Sequence, residues 1–353
     1  MINALIDRYK KIRNYRSLRQ TFDSSFAFVG IGSHSTQNLY PAIDYLHIPL
    51  KYIGCTDPAK VPLIENKFGV RATTSLDEIL ADEAVKGVFI SVTPKAHFEL
   101  ASKVLGARKC LFIEKPPCRN SSELEKLLSL EKKNGVFALA GLQRRYAPAI
   151  QILRKELKHA SLISYHLHYS VGLYPEGDSL LDLFIHPLDE LCNLFGEAEI
   201  LSQQKIDSGK GAETLLLMLR HKGITGTVEL TTSGSWTAAR ECLEVNTKGG
   251  LYTLTDVEKL TLTKHPSSFA GIPSEKIFKK GIVTVELFNP AHTVPVVANN
   301  QIATQGFLSE IETFATLVCN QDKATSAQSK SGASNFSSLE SLRPTYKLLD
   351  AIL

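Results

Sequence analysis

The sequence has few residues of the kinds that mark specialised classes of protein. Its 353 residues include one tryptophan, two methionines and six cysteines, and the cysteines lie far apart with no C-x-x-C spacing. Isolated cysteines exclude a disulfide scaffold and a zinc ribbon and indicate reduced, intracellular thiols. No apolar run reaches the roughly 20 residues that a membrane span needs, and no signal-peptide core precedes the first apolar strand. We therefore expect a cytoplasmic protein without a membrane partner.

Charge of one sign is also scarce. The 40 basic and 36 acidic residues leave a net charge of +4, and no basic stripe with interleaved aromatics occurs in the body of the chain. A nucleic-acid partner is therefore not expected. Only the first 20 residues are locally basic, with apolar residues spaced to line one helix face. This segment predicts a docking or dimer-contact helix, and an organelle presequence is the alternative.

From Phe26 onward, short apolar runs alternate with amphipathic segments, which is the pattern of a doubly wound α/β domain with a buried parallel sheet. The runs are FAFVG, KYIGC, VKGVFIS, KCLFIE and VFALAG. Helices are expected between them, near residues 36–45, 58–68, 75–80, 95–105 and 121–133. Ser75 with Glu78, and Asn120 with Glu123, have capping-box spacing that favours helix starts there.

After Gly141 the pattern changes to long stretches typical of antiparallel strands, with Gly249–Gly250 marking a hairpin turn. Helices are expected over residues 187–194, 307–319 and 338–352, and a surface loop over 324–338. Because one core rarely grows beyond about 250 to 300 residues, the length favours two domains. We predict a basic helical extension (1–24), a Rossmann-type domain (25–143) and a C-terminal α/β domain (144–353). The last would carry a large open, mixed and mostly antiparallel sheet for substrate binding and oligomerisation.

The first strand runs into Gly30-Ile31-Gly32-Ser33-His34-Ser35, a G-x-G-x-x-S loop followed by a helix. Gly30 permits a tight turn and Gly32 lets the backbone approach a pyrophosphate. The helix that follows offers unpaired amides and a positive dipole end to the same anion. The loop, including Ser33 and His34, is therefore predicted to bind a dinucleotide.

Asp57 follows the second strand, where a dinucleotide-binding fold places an acidic residue on the adenosine ribose hydroxyls. It favours NAD over NADP as the cofactor. The alternative is that Asp57 caps the helix that begins at Pro58, and nearby Lys60 would partly tolerate the 2′-phosphate of NADP.

Two further stretches, Thr93-Pro94-Lys95-Ala96-His97 and Glu114-Lys115-Pro116, follow later strands of the same domain. Together with the G-x-G loop, they resemble the Gfo/Idh/MocA family, the relatives of glucose-fructose oxidoreductase and inositol dehydrogenase. The resemblance implies cofactor contacts for five residues: Thr93, Pro94, His97, Glu114 and Lys115. It also implies that Lys115 lies beside nicotinamide and the substrate hydroxyl, where a cation would stabilise alkoxide character. Pro116 fits a cis peptide at this turn.

The family signature D-x-G-x-H-x-x-D resembles Asp182 to Asp189 of this chain, except that Phe184 replaces the glycine. By resemblance, His186 exchanges the substrate proton, and Asp182, four residues earlier, orients the imidazole or contacts substrate. A local polar pair that caps a helix is the alternative. The ring of Phe184 is expected to narrow, block or reshape the substrate pocket.

Gly141 to Pro148 resembles the family's G-x-x-x-R-[FY]-x-P, which makes Arg145 a candidate for positioning substrate or cofactor. An inter-domain salt bridge is the alternative for this arginine. His166 and His168 share one strand face, but no third ligand has suitable spacing, so no metal site is predicted.

The resemblance implies a nicotinamide-dependent oxidoreductase that acts on a secondary alcohol or ketone of a sugar, sugar derivative or cyclic polyol, as a homodimer or homotetramer. Lys115, His186 and Asp182 are the predicted catalytic residues, and they join Arg145 in binding the small-molecule substrate. Two alternatives remain. One is a catalytically silent NAD(H)-binding regulator, and the other is a glycoside hydrolase that uses NAD transiently.

Overall fold

The structure is a computed structural model that describes residues 4–10, 21–278, 281–321 and 336–352. Residues 4–10 form the helix α1, with Leu5 and Tyr9 more than half exposed. The rest of the predicted basic extension up to residue 20, and the predicted surface loop up to residue 335, lie outside the described residues.

The first sheet has six parallel strands. They are β1 (Ser25–Val29), β2 (Leu50–Gly54), β3 (Arg71–Thr73), β4 (Val85–Ile90), β5 (Cys110–Glu114) and β6 (Ala138–Gly141), in the order β3-β2-β1-β4-β5-β6. Every residue of β5 is buried, as expected for a central strand covered on both faces, and every residue of the edge strand β6 is buried as well. The Rossmann-type fold predicted from the sequence is confirmed, although the short edge strand β3 was not expected.

Helices connect these strands where the sequence predicts them. They are α2 (Tyr40–Tyr45), α3 (Val61–Phe68), α4 (Leu76–Ala81), α5 (His97–Gly106) and α6 (Ser121–Asn134). The Ser75 hydroxyl accepts the Glu78 amide at 3.2 Å, and the Asn120 side chain accepts the Glu123 amide at 3.0 Å. Both predicted N-caps are therefore present, and each satisfies an amide that the first turn leaves unpaired.

The second sheet has eight strands. They are β7 (Leu162–Ser170), β8 (Glu199–Gly209), β9 (Ala212–His221), β10 (Ile224–Thr231), β11 (Arg240–Thr247), β12 (Gly250–Thr255), β13 (Lys259–Lys264) and β16 (Thr284–Phe288). The order is β16-β13-β12-β11-β7-β10-β9-β8, and only the β7–β10 pair is parallel among these described strands. The predicted mixed, mostly antiparallel sheet is confirmed. Thr247 pairs with Gly250, so the predicted hairpin turn is also present.

The remaining elements lie outside these two sheets. They are a small hairpin, β14 (Ser268–Phe269) and β15 (Ile272–Pro273), and the helices α7 (Pro148–Leu157), α8 (Ile185–Phe195), α9 (Ser274–Phe278), α10 (Gln301–Thr304), α11 (Phe307–Cys319) and α12 (Arg343–Ala351). The ring of Phe314 in α11 packs edge-on against Phe89 of β4, with centroids 4.9 Å apart. Residues far along the chain therefore complete the core of the first sheet, and a domain boundary at residue 143 stays a prediction.

Candidate active site

The loop after β1 has a backbone that only glycine can adopt at Gly30. Gly30 has a φ of +117°, and a Cβ added there would lie 1.9 Å from the carbonyl oxygen of Ser91. A Cβ on Gly32, by contrast, would meet no atom within 4 Å. Gly30 is thus required by the fold itself, whereas Gly32 leaves an open approach to the backbone.

Ser35 stands where the fuller glycine motif has a third glycine. It is buried, and its hydroxyl accepts the Gly32 amide at 2.9 Å and donates to the Gly32 carbonyl at 3.1 Å. A π-helical turn, Ser35–Leu39, begins here and continues into α2. The amides that open a helix have no partner within it, so the exposed backbone at Ser33 and His34 faces outward as an anion site.

A cleft of about 570 Å³ lies at the carboxyl ends of β1, β2 and β4. The strand connections diverge between β1 and β4, which is where ligands bind in doubly wound sheets. Residues predicted to bind cofactor contribute to its lining, namely Gly30, Gly32, Ser33, His34 and Thr93, and so do Thr56 and Lys60. The cradle without Cβ atoms and the helix amides fit a dinucleotide.

Asp57 is exposed at the end of β2, and its carboxylate accepts the Ala59 amide at 3.0 Å. It caps the 3₁₀ turn Pro58–Lys60, as the alternative interpretation of the sequence expected. A carboxylate has two oxygens and about four acceptor sites, so this cap leaves capacity for a ribose hydroxyl. The ribose contact stays a prediction.

Thr93 and Pro94 open a 3₁₀ turn at the rim of the cleft, and His97 lies behind them. His97 is 1% exposed, with Nδ1 2.8 Å from the Pro116 carbonyl and Nε2 3.0 Å from the Val92 carbonyl. Burial lowers the pKa of this imidazole. His97 thus braces the end of β4 against the E-K-P turn, and its predicted contact with cofactor would be made through those segments.

The E-K-P turn ends β5 with a cis Lys115–Pro116 peptide, as the sequence led us to expect. The Glu114 carboxylate lies 3.3 Å from Nε2 of His34, so it joins this turn to the wall of the cleft. The Lys115 ammonium donates to the main-chain carbonyl of Asp182. Burial lowers the pKa of Lys115, and the nearby Glu114 and Asp182 carboxylates oppose this change.

The predicted pairing of Asp182 with His186 is wrong. The Asp182 carboxylate accepts hydrogen bonds from the Tyr174 hydroxyl and the Asp178 amide, both at 3.1 Å. Asp182 lies in a π-helical turn, Leu180–Phe184, and His186 lies in the first turn of α8. The wider π turn breaks the face on which residues four apart would meet.

His186 is half-buried, and its Nδ1 is enclosed without a hydrogen-bond partner in the described part of the chain. Burial holds the pKa of His186 well below its usual range, and the charges of Lys115, Arg144 and His34 lower it further. His186 is therefore a neutral imidazole at neutral pH, lying near Lys115 as predicted.

Phe184, which replaces the family's glycine, is 1% exposed and packs edge-on against Tyr169, with centroids 6.1 Å apart. The ring lies in the hydrophobic core and does not line the nucleotide cleft. Its expected effect on the substrate pocket stays a prediction.

Arg145 is 3% exposed and forms a bidentate ion pair with Asp189 of α8, with N–O distances of 2.6 and 2.8 Å. Its third nitrogen donates to the Ser341 hydroxyl at 2.7 Å. The guanidinium is thus occupied by protein groups from two other segments. Arg145 is therefore a salt-bridge partner, as the alternative interpretation expected, but its partner Asp189 lies in the same predicted domain (144–353). A direct role in substrate binding does not fit this arginine.

The sequence interpretation missed Arg144, the neighbour of Arg145. Its guanidinium donates to Glu241 of β11, lies 3.9 Å from Glu190 of α8, and packs over the ring of Tyr169. It also lowers the pKa values of Lys115 and His186, which places its charge beside both predicted catalytic groups. Two features of the sequence could have indicated this role. Arg144 is an additional arginine directly before the arginine of the motif, and Glu190 lies four residues after His186.

His166 and His168 lie on the outer face of the second sheet. His166 is 2.8 Å from the Thr227 hydroxyl, and His168 is 3.5 Å from the Glu229 carboxylate. Each ring therefore pairs with a neighbouring strand, as the sheet-face interpretation expects. In the described residues, no group of three or more histidine, cysteine, aspartate or glutamate side chains could hold a metal ion.

The strand order and the glycine turn define a Rossmann-type nucleotide-binding fold. Residues 24–142 match the Gfo/Idh/MocA family model, described as "Oxidoreductase family, NAD-binding Rossmann fold". The resemblance seen in the motifs is therefore confirmed for this part of the chain. None of the helices described is both long enough and apolar enough to span a membrane.

Curated relatives match the chain over about half its length. The YceM protein of Salmonella typhimurium is 28% identical over 177 residues, which cover 49% of this chain and 57% of YceM. The myo-inositol 2-dehydrogenase of Thermotoga maritima is 23% identical over 186 residues, covering 47% of this chain and 56% of that enzyme. The matched part therefore spans little more than half of each relative.

Solved structures match nearly the whole chain. A dehydrogenase from Chromobacterium violaceum has a TM-score of 0.74 at 17% identity, covering 93% of this chain and 94% of its own. KijD10, a 3-ketoreductase from Actinomadura kijaniata solved with NADP and TDP-benzene, has a TM-score of 0.70 at 14% identity, covering 93% and 96%. At these identities the likeness shows that the two-sheet fold is shared.

Proposed function

We propose that this protein is an NAD(P)-dependent oxidoreductase that interconverts a secondary alcohol and a ketone on a sugar, sugar derivative or cyclic polyol. The observation that carries this proposal is the contact of the Lys115 ammonium with the Asp182 segment, beside the half-buried His186. Glu114 connects the same turn to His34 in the wall of the cleft. The names of two similar proteins, a myo-inositol dehydrogenase and a 3-ketoreductase, support this substrate class.

Bound nicotinamide would supply the hydride acceptor or donor. Lys115 would hydrogen-bond the reacting oxygen and stabilise negative charge on it, since such donors act strongly in a water-excluded site. Because burial lowers its pKa, Lys115 gives up a proton more readily than an exposed lysine. His186, neutral because of burial and the surrounding cations, would exchange the hydroxyl proton.

Asp182 has a supporting part in this proposal. Its carboxylate fixes the turn through Tyr174 and Asp178, and its carbonyl receives Lys115. The backbone at Asp182 thus positions the ammonium group. A direct contact between its carboxylate and substrate, and the homo-oligomeric state, remain predictions, as does a cytoplasmic location.

We also propose that the preferred cofactor is NAD. The Asp57 carboxylate would repel the 2′-phosphate of NADP and accept from the ribose hydroxyls of NAD. Lys60 in the cleft wall opposes this preference, because its charge would attract the phosphate. The balance of these two side chains therefore sets the choice between NAD and NADP.

The test is a pair of fluorescence titrations, with NADH and with NADPH, on nucleotide-free protein. Wild type should bind NADH more tightly, and Asp57→Ala should narrow the difference between the cofactors. Lys115→Met should keep cofactor binding but lose about 100- to 1,000-fold in turnover of any sugar or polyol that a screen identifies. Absence of binding by either cofactor would contradict the proposal, and full turnover by Lys115→Met would contradict the mechanism. Binding with no turnover across the panel would favour a silent NAD(H)-binding regulator.

A further inference from the structure

Three side chains of α8, those of His186, Glu190 and Asn193, have enclosed polar atoms without hydrogen-bond partners in the described residues, and the first two carry the inference. Nδ1 of His186 and both carboxyl oxygens of Glu190 are buried and have no hydrogen-bond partner within the described ranges. The two residues are four apart in the same helix, so their Cβ atoms are neighbours, about 5 to 6 Å from each other. An unsatisfied imidazole nitrogen and an unsatisfied carboxyl group thus belong to residues one helical turn apart on α8.

This arrangement calls for an explanation because buried polar groups are nearly always hydrogen-bonded. Leaving either group unpaired costs about 1 to 3 kcal/mol. One water molecule between the two side chains, or a small change of rotamer, would satisfy both at once. Nδ1 is also the only enclosed and unpartnered nitrogen of the His186 ring, which leaves Nε2 as the nitrogen that can reach a substrate.

The charges around Glu190 favour a carboxyl group that keeps its proton. Burial raises the pKa of Glu190, the Glu241 carboxylate raises it further, and Arg144 opposes both. Arg144 donates to Glu241 and is 3.9 Å from Glu190, so one cation faces two carboxyl groups. Asp189, the other acidic neighbour on α8, is already paired with Arg145. Around the imidazole itself, the charged groups are Lys115, Arg144 and His34.

We propose that Glu190 is a positioning residue that sets the tautomer of His186 and exchanges a proton with its Nδ1. When Glu190 is protonated, it donates to Nδ1, so that Nε2 carries the hydrogen and His186 is a proton donor. When Glu190 is ionised, it accepts from Nδ1–H, and Nε2 is a bare acceptor. Glu190 thus takes the orienting role that the sequence had assigned to Asp182.

The proton balance follows from this arrangement. In ketone reduction, Nε2 of His186 gives its proton to the substrate oxygen, and Glu190 passes its own proton to Nδ1. The Glu190 carboxylate that results faces the Arg144 cation, which offsets the new charge. Alcohol oxidation follows the same path in reverse. This step rests on the proposed function, since it assumes that His186 handles the substrate proton.

The inference is tested by nitrogen-15 NMR of histidine-labelled, full-length protein without cofactor or substrate. His186→Gln identifies the signals of His186 among the ten histidines. In wild type, we expect Nδ1 to change from the unprotonated to the protonated type as pH rises from mildly acidic to alkaline, while Nε2 changes the opposite way. Glu190→Gln should abolish this exchange, because an amide does not ionise.

Two further variants make the result specific. Asp182→Asn should leave the exchange of tautomers in place, because that carboxylate pairs with Tyr174 and Asp178. Glu241→Gln should move the exchange to lower pH, because removing the second carboxylate leaves Arg144 to Glu190. This variant tests the proposal even if Glu190→Gln fails to fold.

Absence of the exchange in wild type, or its persistence in Glu190→Gln, would overturn the inference. The proposed function fails separately. If the exchange is present and neither NADH nor NADPH binds, the oxidoreductase proposal alone is wrong. If a cofactor binds and the His186 signals are the same in wild type and Glu190→Gln, the tautomer proposal alone is wrong.

Discussion

The two halves of the candidate site are formed by different means. The nucleotide cleft is shaped by backbone, with Gly30 forced by its contact with Ser91 and Gly32 left open. The inner cluster, which comprises Lys115, Arg144, His186, Glu190 and Glu241, is formed by buried and half-buried ionisable side chains. The cleft therefore depends on chain conformation, whereas the inner cluster depends on the balance of buried charge.

This difference explains which half the sequence revealed. A glycine-rich loop carries its conformation in adjacent residues, so the turn is visible in the sequence. The inner cluster draws on four separate segments, and Arg144 meets Glu241 across 97 positions. No local pattern specifies such a pairing, because it arises only when α8 and β11 pack around the Gln143–Tyr146 turn.

The largest effect on the free energy of unfolding is expected at the Arg145–Asp189 ion pair, which packs next to the inner cluster. Arg145→Met removes a buried bidentate partner and leaves the Asp189 carboxylate enclosed and uncompensated. Breaking such a pair costs about 3 to 5 kcal/mol. Urea unfolding of wild type and variant measures the loss in the free energy of unfolding.

Lys103→Met is the matched control for Arg145→Met, because Lys103 forms an exposed ion pair with Glu99 one helical turn away at 2.8 Å. Its removal should cost about 0.5 kcal/mol or less. If both variants lost the same small amount, Arg145 would not be the structural pair that its geometry indicates.

The outcome for Arg145 also shows how far the sequence reaches. The motif located the arginine correctly at the crossover after β6, but its spacing does not reveal Asp189, which is 44 residues away. In the fold, the six-stranded sheet was largely predictable because its central strands are continuous apolar runs. Strand β8 was not, because most of its residues are exposed and polar. The local sequence pattern therefore does not predict packing partners or edge strands.

A smaller effect is expected in the cleft, where the backbone has the main role. Gly30→Ala puts a Cβ against the Ser91 carbonyl at a positive φ, so it should destabilise the protein by about 3 kcal/mol and abolish nucleotide binding. Gly32→Ala is the paired control, since open space surrounds its Cβ. That variant should unfold within about 0.5 kcal/mol of wild type yet bind NADH more weakly. Equal stability losses in the two variants would show that the loop is not held as described.

The smallest effect, measured for each pH unit, is expected at Glu310 of α11. This carboxyl group is fully buried, burial raises its pKa well above the usual range, and the Glu114 carboxylate raises it further. Between the unfolded pKa of about 4.3 and the folded value, the folded state binds more protons, so stability falls as pH rises. Glu310→Gln cannot ionise and should match wild type below that window. Within the window, the variant should gain up to about 1.4 kcal/mol over wild type for each pH unit, and above it the difference should stay constant.

Urea unfolding of wild type and Glu310→Gln at a series of pH values checks this prediction. Glu99→Gln serves as the control, because the carboxylate of Glu99 is exposed and its pKa is lowered by its hydrogen bond to Lys103. The pKa of Glu99 is lowered, whereas that of Glu310 is raised. Glu99→Gln should therefore be slightly less stable than wild type at pH values above the pKa of Glu99. A stability difference for Glu310→Gln that stays constant with pH would show that the pKa of Glu310 is not raised in the folded protein.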